Sequence, residues 1–336
     1  MPRTYNIKER NMIQDDASTN FRRNRLDYYV HIHDIYRDHP NAKFYLHANI
    51  NNAEYIGMMF KNIPFEQIEH VYLYEDGIGN TLKVNQFKIA YGIRNRDNCV
   101  SLYGYKNWKK WIAPMDSCAY AIDRLVPTTY YFSLMDLVEK NDLMSHFMQE
   151  EAPYADFEDL DLRKMASELT PEQLNDVMKM VGFNVERYRR DTQGKKVLLI
   201  TTPWFYPNEM HHYDSMIDFI KNLKETRPEM FENTLVYLKQ HPSGPDISKQ
   251  LAKILPNLKI LNKRVPVEVL ALSNLEPDWI IGANSSLFFS FSPQKIAYYM
   301  TTKRDMYLPF LLELGIVSRE KVIDLENYVI KGEKSK

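Results

Sequence analysis

From Lys196 onward, short apolar runs alternate with amphipathic segments, and this rhythm is the clearest structural signal in the chain. Lys196-Val197-Leu198-Leu199-Ile200-Thr201-Thr202 reads as a strand ending at Pro203-Trp204. A helix is expected around Ser215 to Leu223, followed by a buried strand, Thr234-Leu235-Val236-Tyr237-Leu238. Ile247 to Ile254 is amphipathic, Leu258-Lys259-Ile260-Leu261 is a short strand, and Val267 to Leu272 opens another helix. A strand at 278–282 and a helix from about Pro293 close the series. Strand followed by helix, repeated in this way, predicts an α/β domain whose parallel sheet is covered on both faces.

The first half is harder to read. Phe44 to Ile50 and Val71-Tyr72-Leu73-Tyr74 are strand-like, and Tyr130-Tyr131-Phe132-Ser133-Leu134 is a third such run. Asn52 is placed to cap a helix with Ile56, Met59 and Phe60 on one face. The aromatic-rich segment 82–122 reads as helices with loops, and Asp156 to Asp161 as an acidic, extended, solvated loop. Thr170-Pro171-Glu172-Gln173 carries the helix-start signals, with Thr at the cap, Pro at the first position and Gln three residues on. That helix should run to about Gly182. The polar stretch Glu186 to Gly194 is the expected linker. The domains then fall at 1–190 and 191–320, with a tail, 321–336, packing back on the N-terminal domain.

Composition narrows the classes. The length of 336 residues suits two domains with a full core each. Charged residues are 26% of the chain and nearly cancel, to a net −1, which is not the basic footprint of a nucleic-acid binder. Cys99 and Cys118 cannot form a disulfide framework and fit a reducing compartment. The N-terminus shows no secretory h-region and no apolar run is long enough to span a membrane, so a cytoplasmic protein is expected. The mildly basic tail 331–336 is a solvated end or a weak contact to an anionic membrane surface. The 23 Tyr and 16 Phe suit sugar-binding clefts as well as large cores.

Candidate chemistry collects at strand ends. Asp76 follows a strand and precedes Gly77, so its carboxylate belongs on a tight turn, either as a reactive acid or as a helix cap. His241 ends a strand within Lys239-Gln240-His241-Pro242, and the proline holds it extended. Its imidazole can donate a proton or pair with a phosphate, or simply bond to its own turn. Ser285-Ser286 are either a phosphate cradle or an N-cap pair. Glu268 stands in the first turn of a helix, as a cap or as an acceptor for a ribose diol. His31-Ile32-His33-Asp34 lacks a partner cluster for a metal, Asp159-Leu160-Asp161 has no strand before it, and His211-His212 reads as a surface pair at a helix start. There is no Walker lysine loop, no nucleophile elbow and no C-x-x-C.

Taken in order, Tyr74-Glu75-Asp76-Gly77, Lys239-Gln240-His241-Pro242, Pro266-Val267-Glu268-Val269-Leu270 and Ser285-Ser286-Leu287-Phe288-Phe289-Ser290 resemble the motifs of bacterial sialyltransferases of glycosyltransferase family 80. Thr201-Thr202-Pro203-Trp204 is similar to that family's threonine-rich turn and tryptophan, and the resemblance spans about residues 44 to 325. Tyr74 to Gly79 is also similar to the E-D-G-x-G of lipooligosaccharide and polysialic acid sialyltransferases. The resemblance implies the GT-B fold, two Rossmann-like domains whose parallel sheets face a central cleft. It implies Asp76 as general base and His241 as general acid on the departing phosphate. Glu268 would hold the cytidine ribose, Ser285 and Ser286 the phosphate, Lys239 and Pro242 the donor side, and Trp204 the acceptor side. It further implies an inverting, metal-independent transfer from CMP-sialic acid to a galactoside-type surface glycan, with no cofactor. A CMP-Kdo transferase would share the CMP-facing residues, and a non-catalytic GT-B-like module is the reading from another class.

Overall fold

The computed structural model describes residues 30–49, 63–75, 123, 126–135, 148–149, 152, 154–205 and 207–328. The expectations for the Asn52-capped helix, for Asp76 to Asn80 and for 82–122 lie outside these residues. The chain divides into two compact units, Met1–Leu160 and Asp161–Lys336.

In the first unit residues 30–38 are helical, and four strands follow: β1 (Phe44–Asn49), β2 (Ile68–Tyr74), β3 (Thr128–Phe132) and β4 (Asp156–Asp159). They pair in the order β1-β2-β3-β4, all parallel. Alternation decides which side chains go inward: Val71, Leu73, Tyr130 and Phe132 are fully buried, and on β1 Leu46 is buried while Tyr45 beside it stays exposed. The acidic stretch expected as a loop is in fact β4. Phe157 stacks on Tyr130 and Phe132, and this aromatic packing holds an otherwise polar strand at the sheet edge.

The second unit holds β5 (Lys196–Thr202), β6 (Thr234–Gln240), β7 (Leu258–Ile260), β8 (Trp279–Ala283), β9 (Ile296–Thr301) and β10 (Val322–Asp324). Their order is β7-β6-β5-β8-β9-β10 and all pairs are parallel. This is the doubly wound Rossmann order, with the strand order reversing between β5 and β8. Successive residues of β5 serve opposite faces. Val197 and Leu199 join the core with Tyr237, Leu270 and Phe288, while Leu198 and Ile200 join the one with Met216, Phe219 and Leu238. A sheet buried on both faces requires such continuous apolar runs.

The helices include α1 (Leu162–Ser167), α2 (Pro171–Met180), α3 (Val185–Thr192), α4 (His212–Thr226), α5 (Ser248–Ile254), α6 (Val269–Leu272) and α7 (Leu308–Glu313). The segment expected as a linker is α3. Asn184 caps it and Tyr188 is buried in the core, so its polar residues mark one solvated face and not a flexible join. The units part at Leu160 and Asp161, ahead of the expected boundary near 190. The helix expected from Pro293 is a single 3₁₀ turn, Pro293–Lys295, leading into β9. Pro at a first helical position was a sound signal for a turn, but the apolar run behind it pairs with β8. The expected tail is likewise part of this unit, since β10 completes its sheet beside β9. Residues 329–336 lie outside those described.

Candidate functional site

Trp204, His241 and the Ser285-Ser286 pair lie just beyond the carboxyl ends of three neighbouring strands, β5, β6 and β8. Register makes this exact in sequence terms, because Thr201 pairs with both Lys239 and Gly282. The reversal of strand order between β5 and β8 opens a crevice at this edge, the usual ligand position in open α/β sheets.

His241 is held from two sides. Its main-chain N–H donates to the Thr202 carbonyl at 3.1 Å, and the Gly244 N–H closes the turn on the His241 carbonyl at 3.0 Å. The Ser243 N–H donates to Nδ1 at 3.1 Å. Nδ1 is therefore the unprotonated nitrogen of the neutral ring, and Nε2 carries the proton. The side chain reaches the surface, yet partial burial, Lys239 and Lys263 together hold its pKa below the ordinary value. A neutral histidine with a donor at Nε2 and cations beside it is suited to an anion that restores its proton affinity.

Lys239 is nearly buried, and its ammonium donates to the Gln240 carbonyl at 3.1 Å and the Lys263 carbonyl at 3.0 Å. Burial lowers its pKa, and the neighbouring Glu268 carboxylate opposes that shift. Lys263 in turn donates to the Gly244 carbonyl at 3.0 Å. Two lysines thus brace the His241-Pro242 turn and charge it positively. Gln240 adds a further brace, accepting from the Ile247 N–H at 2.9 Å and donating to Asp246 at 3.1 Å. Pro242 is exposed on the turn.

Glu268 is the N-cap residue of α6 by position, but its carboxylate makes no cap hydrogen bond. The plain cap reading is not what the structure shows. Ser285 does cap: it precedes a 3₁₀ turn, Ser286–Ser290, and its Oγ accepts from the Leu287 N–H at 3.4 Å. The expected helix start is this turn, so any anion affinity there comes from hydroxyls and local N–H groups and not from a long helix dipole. Asn284 ahead of it has a φ of 35°, and its Nδ2 donates to Thr302 Oγ1 at 2.8 Å. That bond holds a left-handed residue that aims the serine pair. Trp204 is 45% exposed, just past the end of β5.

In the first unit, Asp76 lies outside the described residues, but its neighbour Glu75 does not. Glu75 is buried, and its Oε2 accepts from the Ser133 N–H at 2.8 Å and Ser133 Oγ at 2.7 Å. The Glu75 N–H donates to the Tyr131 carbonyl at 3.0 Å. The acid ahead of Asp76 is thereby a structural anchor across β2 and β3.

The remaining sequence candidates resolve differently. Asp161 caps α1, accepting from the Lys164 N–H at 2.9 Å, and Asp159 accepts from the Met135 N–H at 3.3 Å. His31 and His33 are exposed on the helical stretch 30–38. His211-His212 is not a surface pair, because His212 is only 1% exposed. Sequence reasoning passed over Lys263, Asn284 and Glu75 as contributors. Lys263 sits in a polar turn with no motif, and Ser133 at a strand end was the available hint for Glu75.

The family model described as Sialyltransferase PMO188 matches residues 55–329. The Photobacterium sp. JT-ISH-224 2,6-sialyltransferase, solved with the donor product CMP and the acceptor substrate lactose, is 17% identical with a TM-score of 0.69. The match covers 89% of this chain and 65% of that one, so the chain spans just under two thirds of that protein. The α/β-galactoside α-2,3-sialyltransferase of Photobacterium phosphoreum is also 17% identical, with a TM-score of 0.69, covering 91% of this chain and 85% of that one. The GT-B domain of the Photobacterium damselae sialyltransferase matches with a TM-score of 0.58 at 17% identity, over 89% of this chain and 96% of that one. The fold is GT-B. No curated protein sequence is similar enough to count as a relative.

Proposed function

The chain belongs to the PMO188 sialyltransferase family, and from that premise we propose that it transfers sialic acid from CMP-sialic acid to a galactoside-type acceptor, inverting the anomeric centre without a metal. The observation that carries this reading is the grouping of His241, Glu268 and Ser285-Ser286 in the second unit, with His241 and the serines beyond neighbouring strand ends at the switch point. The Photobacterium sp. enzyme, with CMP and lactose as its bound product and acceptor, supports the same donor and acceptor classes.

In the proposed reaction the bond between the anomeric carbon and the CMP phosphate oxygen breaks as the acceptor oxygen bonds to that carbon. Charge develops on a monophosphate, which His241, the serine hydroxyls and nearby N–H groups can stabilise without a divalent ion. His241 gives its Nε2 proton or hydrogen bond to the departing phosphate. Lys239 and Lys263 add positive charge behind it. Glu268 accepts from the ribose hydroxyls. Asp76, from the first unit, takes the acceptor proton, and Trp204 lines the acceptor side. The carbon is oxocarbenium-like, so the proton leaves late and an ordinary carboxylate suffices. Single displacement gives an α-linked product from the β-linked donor. A lipooligosaccharide or capsule glycan is the proposed natural acceptor, met at the inner face of the membrane by a peripheral protein. Among the described residues no helix is long and apolar enough to cross a membrane.

The test is CMP release from CMP-sialic acid, with and without lactose, in EDTA, beside a parallel reaction with CMP-Kdo. Lactose-dependent turnover that survives EDTA is expected with the sialyl donor. Absence of hydrolysis, transfer and CMP binding overturns the reading; turnover with CMP-Kdo alone replaces the donor.

A further inference from the structure

His211, His212 and Glu326 are brought together by the second unit's topology. His211 and His212 open α4 at the end of the β5–α4 connection, and Glu326 follows the edge strand β10. Atoms of the three able to ligate a metal all lie within 4.8 Å of one another. His212 Nε2 is 3.5 Å from Glu326 Oε1, and the two imidazole centres are 4.0 Å apart.

His212 is 1% exposed, and its Nδ1 has no hydrogen-bond partner among the described residues. Its Nε2 meets the carboxylate only at a distance too long for a sound hydrogen bond. An imidazole taken out of water should have both nitrogens satisfied, and in this ring Nε2, the nitrogen that faces Glu326, has no close partner among the described residues. Burial alone does not supply one.

We propose that His211, His212 and Glu326 bind a divalent transition ion of the Zn²⁺ type. Two imidazoles and one carboxylate are the donor set of borderline ions, whereas Mg²⁺ and Ca²⁺ prefer oxygen throughout. Ligand atoms about 2 Å from a tetrahedral ion stand roughly 3.3 Å apart, close to the separation of His212 and Glu326. His211, exposed at the surface, can rotate to close the remaining distance. The Lys303 N–H donates at 3.2 Å to Glu326 Oε1, the same oxygen that faces His212, and so fixes that carboxylate's orientation. Asp324, and Glu209 with its Arg304 ion-pair partner at 3.4 Å, also lie near His212, so Asp324 adds negative charge around the ion.

Such an ion would tie β10, which has three residues and one neighbour among the described strands, to the start of α4. It would also fix the far end of the connection that carries Trp204. The role is structural, and it leaves the proposed metal-free transfer chemistry unchanged.

The full-length protein, stripped with a chelator and dialysed, should be titrated with Co²⁺ and then Zn²⁺. One Co²⁺ per chain is expected, with a visible absorption band that Zn²⁺ abolishes, and Zn²⁺ should raise the thermal midpoint. His211→Ala, at an exposed position, and Glu326→Gln should each weaken binding by at least about tenfold and remove the thermal shift. Absence of saturable binding at micromolar free metal overturns the proposal. So does binding of unchanged affinity in both variants, which would place the ion elsewhere.

Discussion

At the scale of single residues, the position of a proton decides the site. His241 is held below the ordinary histidine pKa by burial and by the two lysines, so the free protein carries it neutral near pH 7. A bound phosphate favours the imidazolium and raises that pKa, so binding takes up a proton. CMP affinity should therefore rise as pH falls from the pKa of the complex toward that of the free protein. Protonation of CMP itself, near pH 6, works against this at the acid end. Imidazole NMR with and without CMP measures the shift; no upward move on binding would remove His241 from the phosphate. Lys263→Met should raise the free His241 pKa, since a neighbouring cation is lost. The same depressed pKa makes folding less favourable as pH drops below about 6.5, because the unfolded chain then binds the proton first. His241→Ala should lower turnover by about 10²–10⁴-fold, the usual worth of a positioned acid, in the CMP-release assay.

Elements matter by what they allow at their ends. Gly282 in β8 is a close approach and not a flexible point: a Cβ there would lie 1.9 Å from Thr201 Oγ1 and 3.1 Å from the Phe288 ring. Gly282→Ala should cost about 1–3 kcal/mol or more by urea unfolding, and Thr201→Ala should recover part of that loss. The α2 capping box is intact, with the Gln173 N–H on Thr170 Oγ1 at 3.2 Å and the Thr170 N–H on Gln173 Oε1 at 2.9 Å. Thr170→Ala should lower stability by about 1 kcal/mol. Both signals differ in legibility. The capping box is written in four consecutive residues, whereas the demand for glycine at 282 arises only when β8 is laid beside β5.

For the whole molecule, the roles proposed for the donor residues and for Asp76 can be separated by experiment. The proposed donor residues lie in the second unit, and Asp76 belongs to the first. Asp76→Asn should therefore abolish transfer while leaving CMP affinity within about twofold, as expected for a base that acts only in the transition state. Ser285→Ala with Ser286→Ala should instead weaken CMP. Calorimetry with CMP, beside turnover, separates the two effects; a large loss of CMP affinity in Asp76→Asn would overturn the assignment.

Local pattern alone determined β1, β2, β3, β5, β6, β7 and β8, the start of α2, and the strand-end positions of His241 and Ser285, because apolar periodicity and turn chemistry act over a few residues. It could not separate β9 from a helix, since a short apolar run suits either until a neighbouring strand offers it a ladder. It read α3 as a linker because a narrow apolar face, Tyr188 with Val185, is hard to see among six polar neighbours. What only the tertiary structure decided was long-range: the strand order that puts three ends together, the placing of Lys263 beside the His241 turn, and the meeting of His212 with Glu326. Those contacts join residues far apart in sequence, and no local pattern encodes which of them will be neighbours.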